Sequence, residues 1–185
     1  MKGDFQNAIA DCSEAIRLDP KDGGYRGGLA WLLATCPDAR FRDPNRAVEL
    51  AREAVRLAPE DGAIWNTLGV AEYGAGHWKE AIDALKKSEE LHSGGDGYDW
   101  FFLAMAHWQL DDKKEAQENY DKAAEWMEKN EPDDEELCRF RGEAAELLGI
   151  SEELEPKDDS PPSDEKEMPA EEVTTENTEG TEKGG

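Results

Sequence analysis

The side chains best equipped for covalent or metal chemistry are few and scattered. His77, His92 and His107 have no metal-binding spacing to one another or to any cysteine, and His107 reads as a packed position. Cys12, Cys36 and Cys138 are odd in number, far apart and form no C-x-x-C pair, the pattern of reduced thiols in a reducing compartment. No nucleophile, base and orienting acid can be grouped, so neither catalytic residues nor a metal or cofactor is expected. What the chain does concentrate is recognition chemistry. "GYDWFFLAMAHWQL", from Gly97 to Leu110, gathers Tyr98, Trp100, Phe101, Phe102 and Trp108, large rings that bind by apolar area and ring geometry.

Such a run acts according to the element that carries it. On a helix with Trp100 at zero, Leu103, Ala104, His107 and Leu110 fall within roughly 80° and predict a core face. Tyr98, Phe101, Phe102, Met105 and Gln109 lie at roughly 100° to 200°, with Trp108 on the boundary, so a second apolar face points away from the first.

The helices themselves are announced by an internal repeat. A small residue, a core residue four later and a small residue three beyond recur as Ala8/Cys12/Ala15, Ala47/Ala51/Ala54, Ala81/Leu85/Ser88 and Ala116/Tyr120/Ala123. Seven residues are close to two helical turns, so each set lies on one face that admits a close neighbour. Upstream stand Leu29-Ala30, Leu68-Gly69 and Leu103-Ala104, the first displaced by an insertion within "PDARFRDP". Each copy therefore predicts a helical hairpin, with a period of about 34 residues once the insertion is removed.

"IWNTLGVAEYGAGHWKEAIDALKKSEEL" resembles a tetratricopeptide repeat, with Trp65, Leu68, Gly69 and Tyr73 on helix A, Gly76 at the turn, and Ala81, Leu85 and Ser88 on helix B. The fourth copy is similar through Trp100, Leu103, Ala104, Ala116, Tyr120 and Ala123, while Pro20 and Pro59 close two earlier copies. Arg26 stands where the other copies carry tryptophan, and Ser93 and Glu128 replace the closing proline. The resemblance implies an all-α, TPR-type α-solenoid with residues 1–150 as the array. Within it we expect a half repeat at 3–20, hairpins at 23–59, 60–93 and 96–130, and a cap helix at 133–149. That cap would start at Asp133 or Asp134, carry a stripe of Leu137, Phe140, Ala144, Leu147 and Leu148, and stop at Gly149. The half repeat lacks a helix A, so the apolar side of Ala8, Ile9, Cys12 and Ile16 should be uncovered, and the chain could be the end of a longer protein.

Residues 151–185 differ in kind. Thirteen acidic residues stand against three lysines, a net −10 of the chain's −24, and there is no aromatic ring. This composition predicts a disordered acidic tail. Residues 1–150 still carry −14, which disfavours nucleic acid and anionic membranes. The start has no apolar leader and no stretch could span a bilayer, so a cytoplasmic protein is expected.

In the tetratricopeptide family the face of helix A opposite helix B lines a concave groove that holds peptides or partner helices. The resemblance thus implies a protein-binding groove formed by Trp31, Asn66, Val70, Tyr98, Phe101, Phe102, Met105 and Trp108, free of lysine and arginine and suited to an apolar or aromatic segment. The expected function is that of an adaptor or scaffold, not an enzyme, with a protein or peptide as partner. A second reading has the C-terminal segment folding back over Phe101, Phe102 and Met105. "LAWLLATCPDARFRDPNRAVELA" is also similar to repeats in C-terminal arrays of bacterial multidomain signalling proteins, which gives the alternative of a non-catalytic fragment of a serine/threonine kinase or similar enzyme, with its own upstream domain as partner. Arg40, Phe41, Arg42 and Arg46 form the one basic concentration. They read either as a loop paired with Asp38, Asp43 and Glu49 or as a contact for an acidic partner.

Overall fold

A computed structural model describes residues 2–150; the acidic segment 151–185, and the expectation of a disordered tail there, lie outside the described residues. Among the described residues eight α-helices follow one another: α1 (Lys2–Leu18), α2 (Gly23–Thr35), α3 (Pro44–Leu57), α4 (Gly62–Gly74), α5 (Trp78–Leu91), α6 (Gly97–Gln109), α7 (Lys113–Asn130) and α8 (Glu135–Leu148), with a short 3₁₀ turn at Ala39–Phe41. Aspartate starts most of them. Asp22, Asp43, Asp61, Asp96 and Asp134 each accept a backbone N–H of the first turn of α2, α3, α4, α6 and α8. These caps satisfy donors that the helix itself cannot pair.

Helices α2 and α3, α4 and α5, and α6 and α7 pack as antiparallel hairpins, and each hairpin packs on the next. The repeat signature is the seam. Ala47, Ala51 and Ala54, then Ala81, Leu85 and Ser88, then Ala116 and Ala123 are fully enclosed, with Tyr120 at 5% exposure. Gly69 explains the need for small residues opposite them. A Cβ there would lie 2.5 Å from Leu85 Cγ and 3.2 Å from the Ala81 carbonyl, so any larger residue would push α4 off α5.

The seam between repeats is also pinned electrostatically. Glu72 is 2% exposed, yet its carboxylate is met by Arg52 of α3 at 2.7 Å and by His77 Nδ1 at 2.7 Å. A buried carboxylate is tolerated when it is paired in this way.

The two ends of the array contrast. In α1 no described side chain is fully buried: Phe5, Ala8, Ile9, Cys12, Ala15 and Ile16 are half-buried. Ile9, Cys12 and Ile16 rest against the core formed by α2 and α3, and the inserted segment contributes Phe41, whose ring centroid lies 6.1 Å from that of Phe5. At the other end α8 buries Leu137, Phe140, Ala144, Ala145 and Leu148. It begins at Asp134 and ends on Gly149, as its sequence pattern predicts.

One wheel assignment is corrected. The angular position of Leu110 puts it on the core face of α6, but the helix ends at Gln109, and Leu110 turns outward as its C-cap with 38% exposure.

Candidate binding cleft

The aromatic face of α6 is not bare. Helix α8 lies against it, with Phe140 at the centre, its ring 4.8 Å from Phe102, 6.1 Å from Tyr98 and 6.1 Å from Trp31 of α2. Polar contacts fix the docking. Tyr98 donates its hydroxyl to Asp134 at 3.0 Å, and Trp31 donates its indole N–H to Glu136 at 3.3 Å. Gly97 permits the close approach, since a Cβ there would meet Trp126 at 3.1 Å and Leu137 at 3.2 Å.

Asn66 aside, the residues expected to line the groove separate into two groups. Phe101, Phe102 and Met105 are 0%, 5% and 1% exposed, and Val70 is also buried. The open aromatic groove is corrected at these positions: Phe140 of α8 packs on Phe102 and Tyr120 of α7 packs on Phe101, as burial of apolar faces against each other favours. Trp31, Tyr98 and Trp108 remain half-buried. Trp108 lies apart from the other two, with the Lys113 ammonium 5.3 Å above its ring. Trp31 and Tyr98 meet edge to face at 5.9 Å.

Beside that pair a cleft of about 330 Å³ stays open, a volume that suits one side chain or a small group. Ala63, Asn66 and Thr67 of α4 form its floor, and His92, Asp96 and Glu136 stand around it with the two rings. Asn66 donates its amide to Asp99 at 2.8 Å, and Asp99 is fully enclosed. Burial, with Asp96 close by, pushes the Asp99 carboxyl up to about 6, although the hydrogen bond from Asn66 opposes the rise. Desolvation and the neighbouring Asp134 carboxylate likewise raise the Tyr98 phenol above its ordinary value.

Sequence reasoning missed Asp96 and Asp99 as a unit. Asp96 accepts the N–H of Tyr98 and Asp99, while Asp99 accepts that of Asp96, a reciprocal capping box. The signal was present as an acidic residue three positions after a capping one. His92 adds a third potential donor, and donor atoms of His92, Asp96 and Asp99 lie within 4.8 Å of one another. The capping box accounts for the approach of the two carboxylates.

The inserted basic segment is tied down in part, with Asp38 as the one carboxylate of the expected three seen to pair with an arginine side chain among the described residues. Arg40 pairs with Asp38, and Arg42 donates to the Cys36 carbonyl at 2.6 Å. The three cysteines are free thiols, and no helix among the described residues is long and apolar enough to cross a membrane.

Stacked hairpins with small residues at the seam, their first helices α2, α4 and α6 packed in succession, define a repeat scaffold for protein interaction. Models of the tetratricopeptide repeat match residues 39–96 and, separately, residues 2–22 and 100–130; the chain belongs to the tetratricopeptide repeat family. Among solved structures it is similar to MamA, residues 41 to the end, from Desulfovibrio magneticus RS-1, at 22% identity over 70% of each chain with a TM-score of 0.57. A second MamA crystal structure gives 24% identity, covering 80% of this chain and 81% of that one, with a TM-score of 0.55. A thermophilic TPR protein of Thermus thermophilus gives 18% identity over 80% of this chain and 75% of that one, with a TM-score of 0.58. These likenesses are of fold. No curated protein sequence gives a significant match.

Proposed function

We propose that the protein is a non-catalytic adaptor or scaffold that holds an extended segment of a protein partner in the cleft beside Trp31 and Tyr98, with Asn66 on its floor. The observation that supports this most is the seating of α8. An amphipathic element already lies on the concave side through one ring, Phe140, set among Trp31, Tyr98 and Phe102. A surface that takes one aromatic anchor there offers ring contact to a side chain of a bound segment at the open edge. Phe101, Phe102, Met105 and Val70 support this edge from beneath rather than touching the partner. The charge of −14 over residues 1–150 supports protein over nucleic acid as the partner class.

Selection of a random peptide library on the full chain tests the reading. Binders should be enriched over those retained by an inert protein, and Trp31→Ala should release most of them. No enrichment, or binders indifferent to Trp31→Ala, would reject a partner site at this cleft.

A further inference from the structure

Nearly every polar group on the cleft wall is either an acceptor or a donor already in use. Trp31 gives its N–H to Glu136, Tyr98 its hydroxyl to Asp134, and Thr67 its hydroxyl to the Ala63 carbonyl. The Ser88 hydroxyl lies 3.0 Å from the Gly62 carbonyl and 3.3 Å from His92 Nδ1. What remains for a ligand is acceptor capacity. Asn66, 8% exposed, has its amide nitrogen turned to Asp99 and its carbonyl oxygen without a protein partner. One oxygen of Asp96 is taken by the N–H of Tyr98 and Asp99, and the other has no such contact. Glu136 shares its oxygens with Trp31 and Arg139. Among the described residues no lysine or arginine lines the cleft.

Two half-buried aromatic rings and a rim of acceptors, with negative charge and no lining cation, select one kind of guest. Apolar side chains would leave Asn66 and Asp96 unpaired on contact, and anions would be repelled. We infer that the cleft is the socket for a cationic side chain, a lysine or arginine of the bound segment, whose stem lies against Trp31 and Tyr98 and whose charged head meets Asn66, Asp96 and Glu136. This rests on the partner-cleft reading above and supplies its specificity. Ring faces attract cations, and long basic side chains carry an apolar stem suited to the aromatic wall. The Asp99 carboxylate behind Asn66 adds to the attraction when ionised.

The test uses the full chain near neutral pH with two small probes, N-acetyl-lysine methylamide and its uncharged isostere N-acetyl-norleucine methylamide, followed by NMR at the Trp31 indole N–H and the Asn66 side-chain amide. The lysine probe should move both signals and bind about tenfold more tightly than the isostere, roughly 1.4 kcal/mol. Asp96→Asn and Glu136→Gln should each weaken it by about threefold, the size of a partly screened ion pair, while the control Glu60→Gln on the exposed α3–α4 turn should not. Equal binding of both probes would overturn the cationic socket and leave the partner cleft standing as an apolar slot. Lysine-dependent shifts spread over the acidic surface without Trp31 and Asn66 would overturn the socket as diffuse charge attraction. Silence of both signals with both probes would overturn the socket, and only the peptide selection decides the cleft itself.

Discussion

Helices α1 and α8 carry similar amphipathic patterns at opposite ends of the same array, and they end in different states. The stripe of α8 reaches burial at five positions, whereas the repeat signature of α1, Ala8/Cys12/Ala15, stays half-buried although its three counterparts in α3, α5 and α7 are enclosed. The difference teaches that a periodic apolar face specifies a demand for a partner surface and not its supply. Helix α8 meets the aromatic wall of α6; α1 meets chiefly α2 and the ring of Phe41.

The comparison is broken most severely by removing what α8 docks onto. Phe102→Ala and Phe140→Ala should each cost about 3 to 5 kcal/mol in denaturant melts, comparable with Leu103→Ala on the opposite face of α6. If Phe102→Ala changed stability by less than about 1 kcal/mol, α8 would not be seated in solution and the two ends would be alike.

The covered end has a pH signature as well. Asp99 titrates near 6 in the folded chain against 3.8 when free, so the folded state holds its proton more tightly. Its stabilising contribution is complete below about pH 4 and lost as pH rises through 6, amounting to roughly 3 kcal/mol at most. Comparing unfolding free energies at the two limits, Asp99→Asn should remove this decline. An identical pH slope in the variant would show that Asp99 ionises as freely as in the unfolded chain.

A smaller effect is expected at the cap. Asp134→Ala deletes the acceptor for the Leu137 N–H and for the Tyr98 hydroxyl, a loss of about 1 to 2 kcal/mol. The thermal midpoint should fall accordingly, and an unchanged midpoint would mean that Phe140 alone anchors α8.

At the open end the effects are least. Ile16→Ala should cost about 1 kcal/mol or less, because the side chain is only half removed from water. Hydrogen exchange in a monomeric sample should be faster through α1 than through α5. Equal protection would sharpen the comparison in the other direction, by showing that Phe41 and α2 suffice to hold a half repeat.

Much of this architecture is legible in the residues because it is local. The seven-residue signature, the leucine-small pairs, the aspartate caps and the Gly149 stop each act within a few turns of their own helix. The destination of α8 is different. Trp31 and Glu136 are 105 positions apart, and periodicity tells which face of α6 is apolar without telling what covers it. That is why fold-back over Phe101, Phe102 and Met105 could be named as an alternative but not chosen. Leu110 shows the complementary limit: an angular position has meaning only while the helix continues. The capping role of Asp99 is legible from its spacing to Asp96, but its buried contact is not, since that depends on Asn66 in the preceding hairpin.

The bridge from Trp31 to α8 also changes how the array should behave as a polymer. An open solenoid couples each repeat only to its neighbours and can lose them one at a time from an end. Here Trp31 of α2 also touches α8, a coupling beyond nearest neighbours. Unzipping α8 removes those contacts from α2, so partial unfolding from the C-terminal side is less favourable than in an open array. The same coupling places contacts of very long sequence separation in the native state, which slows the search for it. Folding of this array should therefore be more nearly all-or-none, and slower, than its helical content alone suggests.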